Sequence, residues 1–162
     1  MNLIASSSRD WGIGKENQLL FHIREDMQYF KKMTTGNVVV MGRKTLDSLP
    51  GGNPLPERVN IVMTRDRDFS REGVTAVHSA EELLEELKRY DSEVFVCGGG
   101  EIYRMLLPYC QKAYITKVNA DREADAFLPD FDADENWRIA EESEPHFSSK
   151  GLEFRFLTYE RV

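Results

Sequence analysis

Short apolar runs alternate along the chain with segments of helical periodicity, and this alternation is typical of an α/β protein. Seven runs predict strands, at residues 3–7, 37–41, 59–64, 74–77, 93–97, 113–118 and 152–159. The run 37–41 is β-branched and apolar on both faces, as expected of a central buried strand. The last two runs alternate more clearly between apolar and polar positions, so we expect them to be later, antiparallel edge strands.

Four segments with apolar residues at helical spacing lie between these runs, at residues 24–33, 44–48, 79–90 and 101–107. The third begins with Ser79 and has Glu82 three positions on, which is a capping-box arrangement. The fourth follows a run of glycines and stops at Pro108. Residues 9–20 and 50–58 carry neither pattern, and we expect them to form ordered loops.

Length and composition indicate one globular domain over residues 1–162. The chain has 162 residues, 41% of them apolar, and contains no internal repeat. That apolar share excludes a disordered chain, and no stretch approaches the roughly 18–20 apolar residues of a membrane span. The N-terminus has no basic leader followed by an apolar run, so we expect a cytoplasmic protein without membrane association.

Net charge narrows the possible partners, and cysteine content indicates the cellular compartment. The net charge is −7, which disfavours binding of nucleic acid over the whole surface. Two cysteines, Cys97 and Cys110, are too few for a disulfide framework, and a reducing compartment is expected. The three histidines lack metal-ligand spacing, so no metal site is predicted.

Three predicted strands end in residues that suit an anion. The first is followed by Gly98, Gly99 and Gly100, which let backbone N–H groups approach a phosphate at the start of a helix. The second ends in Gly42-Arg43-Lys44-Thr45, and the third in Thr64-Arg65. A tight turn and solvated surface charges would explain each junction alone. Together, at the carboxyl ends of strands, they predict a ligand that carries several phosphates.

A fourth feature is a carboxylate beside an apolar stripe. Asp26 lies three residues after Ile23 and four before Phe30, on the helix that begins near residue 24. Burial there would raise the pKa of Asp26, and a cationic partner would lower it. The alternative is an aspartate placed in a first helical turn only because the helix dipole favours it.

Taken in order, these motifs resemble those of the bacterial dihydrofolate reductase family over nearly the whole chain. The matching segments are DWGIG at 10–14, NQLLF at 17–21, DMQYFK at 26–31, VMGRKT at 40–45, PLPERVN at 54–60, GGGEIY at 98–103, YIT at 114–116 and DAFLP at 125–129. The resemblance implies an eight-stranded, mostly parallel sheet with flanking helices and an antiparallel C-terminal edge. It also implies transfer of a hydride from NADPH to C6 of dihydrofolate, with protonation at N5.

The resemblance also assigns cofactor contacts, which agree with the three anion-suited junctions. It gives the pyrophosphate region to Thr45, Gly98, Gly99, Gly100, Glu101, Ile102 and Tyr103. It gives the 2′-phosphate to Arg43, Lys44, Thr64 and Arg65, with Gly42 at the start of the same segment. It gives the nicotinamide to Ser6, Ile13 and Gly14. Ile13 and Gly14 lie within the segment 9–20, which corresponds to the family's mobile active-site loop.

On the substrate side the resemblance makes Asp26 the carboxylate that faces the pterin. Asp26 would accept hydrogen bonds from N3 and the 2-amino group, with Thr116 nearby, and its charge would favour protonation at N5. Arg58 would hold the α-carboxylate of the glutamate tail. The remaining substrate contacts would come from Ile4, Ser6, Met27, Phe30, Leu49 and Cys97. We expect a monomer that also binds antifolate inhibitors.

Two departures and two alternatives accompany this interpretation. Leu20-Phe21 replaces the family's usual Pro-Trp, and the loop at 50–53 is one residue longer than the common form. A related NADPH reductase acting on another heterocycle, such as the reductase of riboflavin synthesis, resembles the fold and glycine loop, but gives no reason for Asp26 together with Arg58. A non-catalytic dinucleotide- or folate-binding module is the other alternative, and the intact Asp26 argues against it.

Overall fold

The computed structural model describes all 162 residues and contains twelve strands and four α-helices. The strands are β1 (Asn2–Ser7), β2 (Gly12–Lys15), β3 (Gln18–Leu19), β4 (Val38–Gly42), β5 (Val59–Met63), β6 (Val74–Val77), β7 (Val94–Val96), β8 (Lys112–Val118), β9 (Ala126–Phe127), β10 (Trp137–Glu142), β11 (His146–Phe147) and β12 (Glu153–Arg161). The helices are α1 (Arg24–Thr34), α2 (Arg43–Ser48), α3 (Ala80–Leu87) and α4 (Gly100–Leu106). Two short 3-10 turns occupy Pro50–Gly52 and Leu107–Tyr109.

One large sheet organises the fold, with strand order β10-β12-β8-β1-β7-β4-β5-β6 and β11 paired beside β12. The strands from β8 to β6 in this order are parallel, whereas β12 runs antiparallel to β8 and to β10. This confirms the predicted fold class, a mostly parallel eight-stranded sheet with an antiparallel C-terminal edge. All four helices follow from the predicted segments, with ends shifted by up to three residues.

β4 is an interior strand of the sheet that is buried on both faces, as its sequence predicts. Val38, Val39 and Val40 are fully buried, because their side chains alternate between two apolar layers. One layer is a cluster of 21 residues around Leu3, and the other packs Val39 and Met41 against Leu46 of α2. The two layers fix the ends of β4, β5 and β7 at one rim of the sheet.

The prediction that residues 113–118 and 152–159 form edge strands is wrong. β12 is antiparallel, as predicted, but it lies between β8 and β10, and β10 forms the edge. β8 lies inside the sheet, parallel to β1 and antiparallel to β12. Two of its polar residues do not face bulk solvent, since Thr116 is buried and the Lys117 Nζ is covered. The alternation that suggests an edge therefore reflects two polar side chains with interior partners.

The prediction of a plain loop at residues 9–20 is also wrong. This segment forms the β2–β3 hairpin, and β9 joins it to make a separate three-stranded sheet. The hairpin turns at Glu16 and Asn17, which both adopt positive φ, as two-residue hairpin turns require. Strands of four and two residues are too short to show an apolar alternation. None of the helices is long and apolar enough to cross a membrane.

Candidate active site

The three anion-suited junctions come together at the carboxyl rim of the sheet. Gly42 pairs with Met63 at the end of β5, and the Gly42 N–H donates to the Gly98 carbonyl at 2.8 Å. The Cys97 N–H likewise donates to the Val40 carbonyl at 2.8 Å. The segments that follow β4, β5 and β7 are therefore neighbours in space, as the parallel arrangement predicts.

The glycine turn between β7 and α4 has a backbone conformation that a side chain on Gly98 would strain. The Gly98–Gly99 peptide is cis and Gly98 has φ +119°. A Cβ on Gly98 would lie 3.5 Å from the Tyr103 ring and 3.6 Å from Thr45 Oγ1. Gly99 caps α4 without a side-chain acceptor, which leaves the first N–H groups of the helix available. This backbone cradle, with the Thr45 hydroxyl opposite, fits a pyrophosphate.

Cations flank the glycine turn on the side of β4 and β5. Arg43 Nη1 lies 3.1 Å from Asp66 Oδ2, and its guanidinium stacks 4.7 Å from the Phe69 ring centre. Arg65 Nη2 lies 3.0 Å from Glu101 Oε1, so this pair links the end of β5 to the start of α4. Lys44 is exposed, and the Arg65 side chain is 92% exposed. The Arg43 side chain is 42% exposed although it pairs with Asp66, so solvent reaches both arginines, and Thr64 precedes Arg65 at the end of β5.

Asp26 lies in the first turn of α1, and its carboxylate points toward the sheet. The Thr116 hydroxyl on β8 donates to Asp26 Oδ1 at 2.5 Å. Burial raises the pKa of Asp26, and the Thr116 hydrogen bond opposes that rise. No cation pairs with this carboxylate. A half-buried carboxylate of this kind is suited to bind a flat ring that offers two N–H donors.

The predicted apolar walls differ in their exposure. Ile4 is buried, while Phe30, Leu49 and Cys97 are half-buried, and Ser6 on β1 is half-buried beside Thr116 in register. Met27 is 62% exposed, so it lies at an outer margin rather than in a closed wall. Burial raises the pKa of Cys97 to about 12, which keeps the thiol neutral.

Tyr103 connects the two halves of this region, a role that the sequence did not indicate. Its hydroxyl donates to the Ile4 carbonyl at 2.7 Å, and its ring lies against the glycine turn. Burial raises the pKa of Tyr103 well above its usual value, and the negative charge of Asp26 adds to that rise. The sequence feature that could have indicated this role is a tyrosine on the buried face of the helix that follows the glycine turn.

Arg58 is held by a partner that the sequence analysis missed. Its Nη1 donates to Thr34 Oγ1 at 3.0 Å and its Nε donates to the Pro56 carbonyl at 2.9 Å. Thr34 is fully buried at the end of α1, and its hydroxyl donates to the Phe30 carbonyl. The guanidinium is therefore fixed at the opposite end of α1 from Asp26, with donors left for a carboxylate.

The β2–β3 hairpin closes against the glycine turn and the start of α2. Ile13 is 7% exposed, and its Cδ1 lies 3.9 Å from where a Cβ on Gly100 would stand. The Gly14 carbonyl accepts from the Asp125 N–H at 2.9 Å, and Asn17 Nδ2 donates to the Lys44 carbonyl at 3.1 Å. Ile13 and Gly14 are thereby brought to the glycine turn.

Phe21, at the site of the departure from the Pro-Trp pattern, is buried under a cation. It is 3% exposed, and the Arg122 guanidinium lies 4.5 Å from its ring centre. Arg122 also donates to the Leu20 carbonyl. Throughout the chain, no group of three or more His, Cys, Asp or Glu side chains is arranged to hold a metal ion.

Comparisons with known proteins agree on one family. A family model described as dihydrofolate reductase matches residues 1–161. The dihydrofolate reductase of Neisseria gonorrhoeae is 40% identical over 159 residues, covering 98% of this chain and 96% of the relative. The dihydrofolate reductase of Bacillus subtilis is 39% identical over 150 residues, covering 92% of this chain and 87% of the relative.

A solved structure shares the whole fold. It is the dihydrofolate reductase from Enterococcus faecalis complexed with NADP(H) and RAB-propyl. It superposes with a TM-score of 0.89 at 32% sequence identity, covering 99% of this chain and 95% of the other.

Proposed function

The chain belongs to the dihydrofolate reductase family, and on that premise we propose which of its residues carry out the family's reaction. The reaction is the NADPH-dependent reduction of 7,8-dihydrofolate to 5,6,7,8-tetrahydrofolate, the carrier used in one-carbon metabolism. The match to this family over residues 1–161 supports this reaction over that of the reductase of riboflavin synthesis.

Asp26 orients the substrate. Its carboxylate accepts the hydrogen bonds of the pterin N3 and 2-amino groups, and two parallel bonds fix the ring plane. The observation that carries this assignment is the half-buried Asp26 carboxylate, whose one protein partner is the Thr116 hydroxyl at 2.5 Å. Its negative charge also favours the protonated form of N5 on the bound ring.

Arg58 holds the other end of the substrate. Thr34 and Pro56 fix its guanidinium, and the remaining N–H groups bind the α-carboxylate of the glutamate tail. Ile4, Phe30, Leu49 and Cys97 exclude water from the ring, with Met27 at the margin and Ser6 beside both ligands. Exclusion of water strengthens the hydrogen bonds to Asp26.

The opposite half of the cleft fits NADPH. The backbone of Gly98–Gly100 and the Thr45 hydroxyl receive the pyrophosphate, together with the start of α4 at Glu101, Ile102 and Tyr103. Arg43, Lys44, Thr64 and Arg65 surround the 2′-phosphate beside Gly42, while Ser6, Ile13 and Gly14 line the nicotinamide. Bound NADPH supplies the hydride for C6, and the protein holds the two rings together.

The chain acts as a single domain over residues 1–162 and as a monomer in the cytoplasm. Antifolates that present two N–H donors bind Asp26 in place of the pterin. A spectrophotometric assay of NADPH oxidation with and without dihydrofolate tests the function directly. We expect oxidation only when dihydrofolate is present. No oxidation, or the same rate without dihydrofolate, would refute the enzyme assignment.

A further inference from the structure

Lys117 lies directly after Thr116 on β8, and its side chain takes the opposite face of the sheet. Its ammonium nitrogen stands 3.1 Å from the centre of the Trp11 ring. The same nitrogen is buried and has no hydrogen-bond partner in the protein. A buried ammonium without acceptors is costly, and contact with the face of the Trp11 ring stabilises it.

Trp11 fixes the start of the active-site loop. Its side chain is 6% exposed and its backbone has φ +69°, a left-handed conformation that bulky residues avoid. The Trp11 N–H donates to the Ser8 carbonyl, and the Trp11 carbonyl accepts from the Leu128 N–H. The ring packs 5.6 Å from Phe131 and 6.0 Å from Tyr159, measured between ring centres. Packing from several elements therefore maintains an unfavourable backbone state.

The position of Trp11 determines where the loop meets the cofactor side. Ile13 and Gly14 follow it by two and three residues, and Ile13 reaches Gly100 of the glycine turn. A ring released from the sheet would shift both residues, because β2 begins at Gly12.

Charged groups from every neighbouring element face Lys117. Asp10 lies on the loop, and Asp130 and Asp132 lie in the turn after β9. Tyr159 on β12 donates its hydroxyl to Asp132 at 2.7 Å. The Lys117 stem borders a surface groove that is also lined by Arg9, Glu142, Glu153 and Arg155. Two of these residues form ion pairs: Arg9 pairs with Asp121, and Arg155 pairs with Glu142. The three aspartates favour the charged ammonium, whereas burial lowers the pKa of Lys117 to about 8.

We propose that Lys117 is a positioning residue for hydride transfer, because its ammonium holds the Trp11 ring and thereby sets Ile13 and Gly14 against the glycine turn. This inference rests on the proposed function of the cleft. Lys117 acts through Trp11 and touches neither substrate nor cofactor. Since Lys117 loses its charge as the pH rises through about 8, the anchor weakens in mildly alkaline solution.

The first test follows Trp11 itself. The chain has two tryptophans, so the Trp137→Phe protein reports Trp11 fluorescence alone. We expect its emission to change with a midpoint near pH 8 and to be independent of pH between 6 and 9 once Lys117→Met is added. A midpoint that persists with Lys117→Met, or that is missing from the Trp137→Phe protein, overturns the proposal. This measurement needs no turnover, so it separates failure of the anchor from failure of the proposed function.

The second test follows the chemistry. At pH 7 the single-turnover hydride-transfer rate of Lys117→Met should fall about tenfold, while the KM for dihydrofolate changes by less than about twofold. Lys117→Arg keeps the charge and stacks on the ring, so it should restore the rate to within about twofold. Lys112→Met, an exposed lysine on the same strand, is the matched control and should have the wild-type rate. An unchanged rate in Lys117→Met, or no rescue by Lys117→Arg, overturns the proposal.

Discussion

The Thr116 hydroxyl donates a 2.5 Å hydrogen bond to Asp26 Oδ1 across 90 positions of sequence. It joins the interior strand β8 to the first turn of α1 and satisfies one oxygen of a carboxylate that burial disfavours. The other carboxylate oxygen remains available to a ligand.

Replacing the Asp26 carboxylate should reduce turnover strongly while leaving cofactor binding nearly unchanged. In Asp26→Asn we expect kcat/KM for dihydrofolate near neutral pH to fall by at least about 100-fold, because the amide neither accepts both pterin hydrogen bonds nor favours protonation at N5. NADPH affinity, measured by fluorescence quenching, should stay within about twofold. Glu25→Gln removes the adjacent carboxylate and is the matched control. A wild-type rate in Asp26→Asn would reduce Asp26 to a helix-dipole role.

The same substitution should stabilise the free protein. Because the pKa of Asp26 is raised in the folded state, the folded protein binds more protons than the unfolded chain between the ordinary value of 3.8 and the raised value. The free energy of unfolding therefore declines as the pH rises through that window. Urea unfolding without ligand should show Asp26→Asn more stable than wild type at pH 7, with the difference shrinking as the pH falls below the raised pKa toward 3.8. Equal stability of wild type and Asp26→Asn both at pH 7 and near pH 3.8 would show that burial does not penalise this carboxylate.

Thr34 should matter for substrate affinity although it is fully buried. Thr34→Val removes the acceptor that holds Arg58 Nη1, so the KM for dihydrofolate should rise about tenfold with little change in kcat. Arg58→Leu should raise it further, by about 10- to 100-fold, because the charge-assisted bonds to the tail carboxylate are lost. Thr35→Val is the control: it changes the next residue, whose hydroxyl donates only to the Lys31 carbonyl, and it should leave the KM for dihydrofolate unchanged. If Thr34→Val leaves this KM unchanged, Thr34 does not position Arg58.

Arg65 and Arg43 should discriminate between the two nicotinamide cofactors. Only NADPH has a 2′-phosphate, so Arg65→Ala or Arg43→Ala should raise the KM for NADPH about 10- to 100-fold and that for NADH by less than about threefold. Arg67→Ala removes a nearby arginine that faces Glu82 and serves as the control. Equal losses with both cofactors would remove these arginines from the 2′-phosphate site.

Cys97 should be unreactive in the folded protein. With its pKa raised to about 12 by burial, only about one molecule in ten thousand carries the thiolate at pH 8. Cys110 has a pKa raised to about 11, so an aromatic disulfide reagent should label neither cysteine of the native protein quickly and both after unfolding in urea. Cys97→Val should retain activity. Fast stoichiometric labelling of wild type that is absent from Cys97→Val would place the thiol in an open, polar setting.

Sequence alone determined the features that depend on local pattern. The β-branched run around Val39 identified the central strand, since a strand buried on both faces has no polar positions. Parallel strands share one rim, so the segments after Val40, Met63 and Val96 had to meet. The carboxylate of Asp26 was marked by its place beside an apolar stripe.

Only the tertiary structure decided which distant groups became partners. Thr116 and Lys117 resembled polar positions of an edge strand, yet the fold placed them on opposite faces of β8, one against Asp26 and the other against Trp11. Thr34 and Arg58 likewise became hydrogen-bond partners only through the packing of the segments that carry them. Such pairings depend on the relative position of elements far apart in the chain, which local periodicity does not encode. The short β2–β3 hairpin was likewise set by its contacts with β9 and the glycine turn rather than by its own sequence.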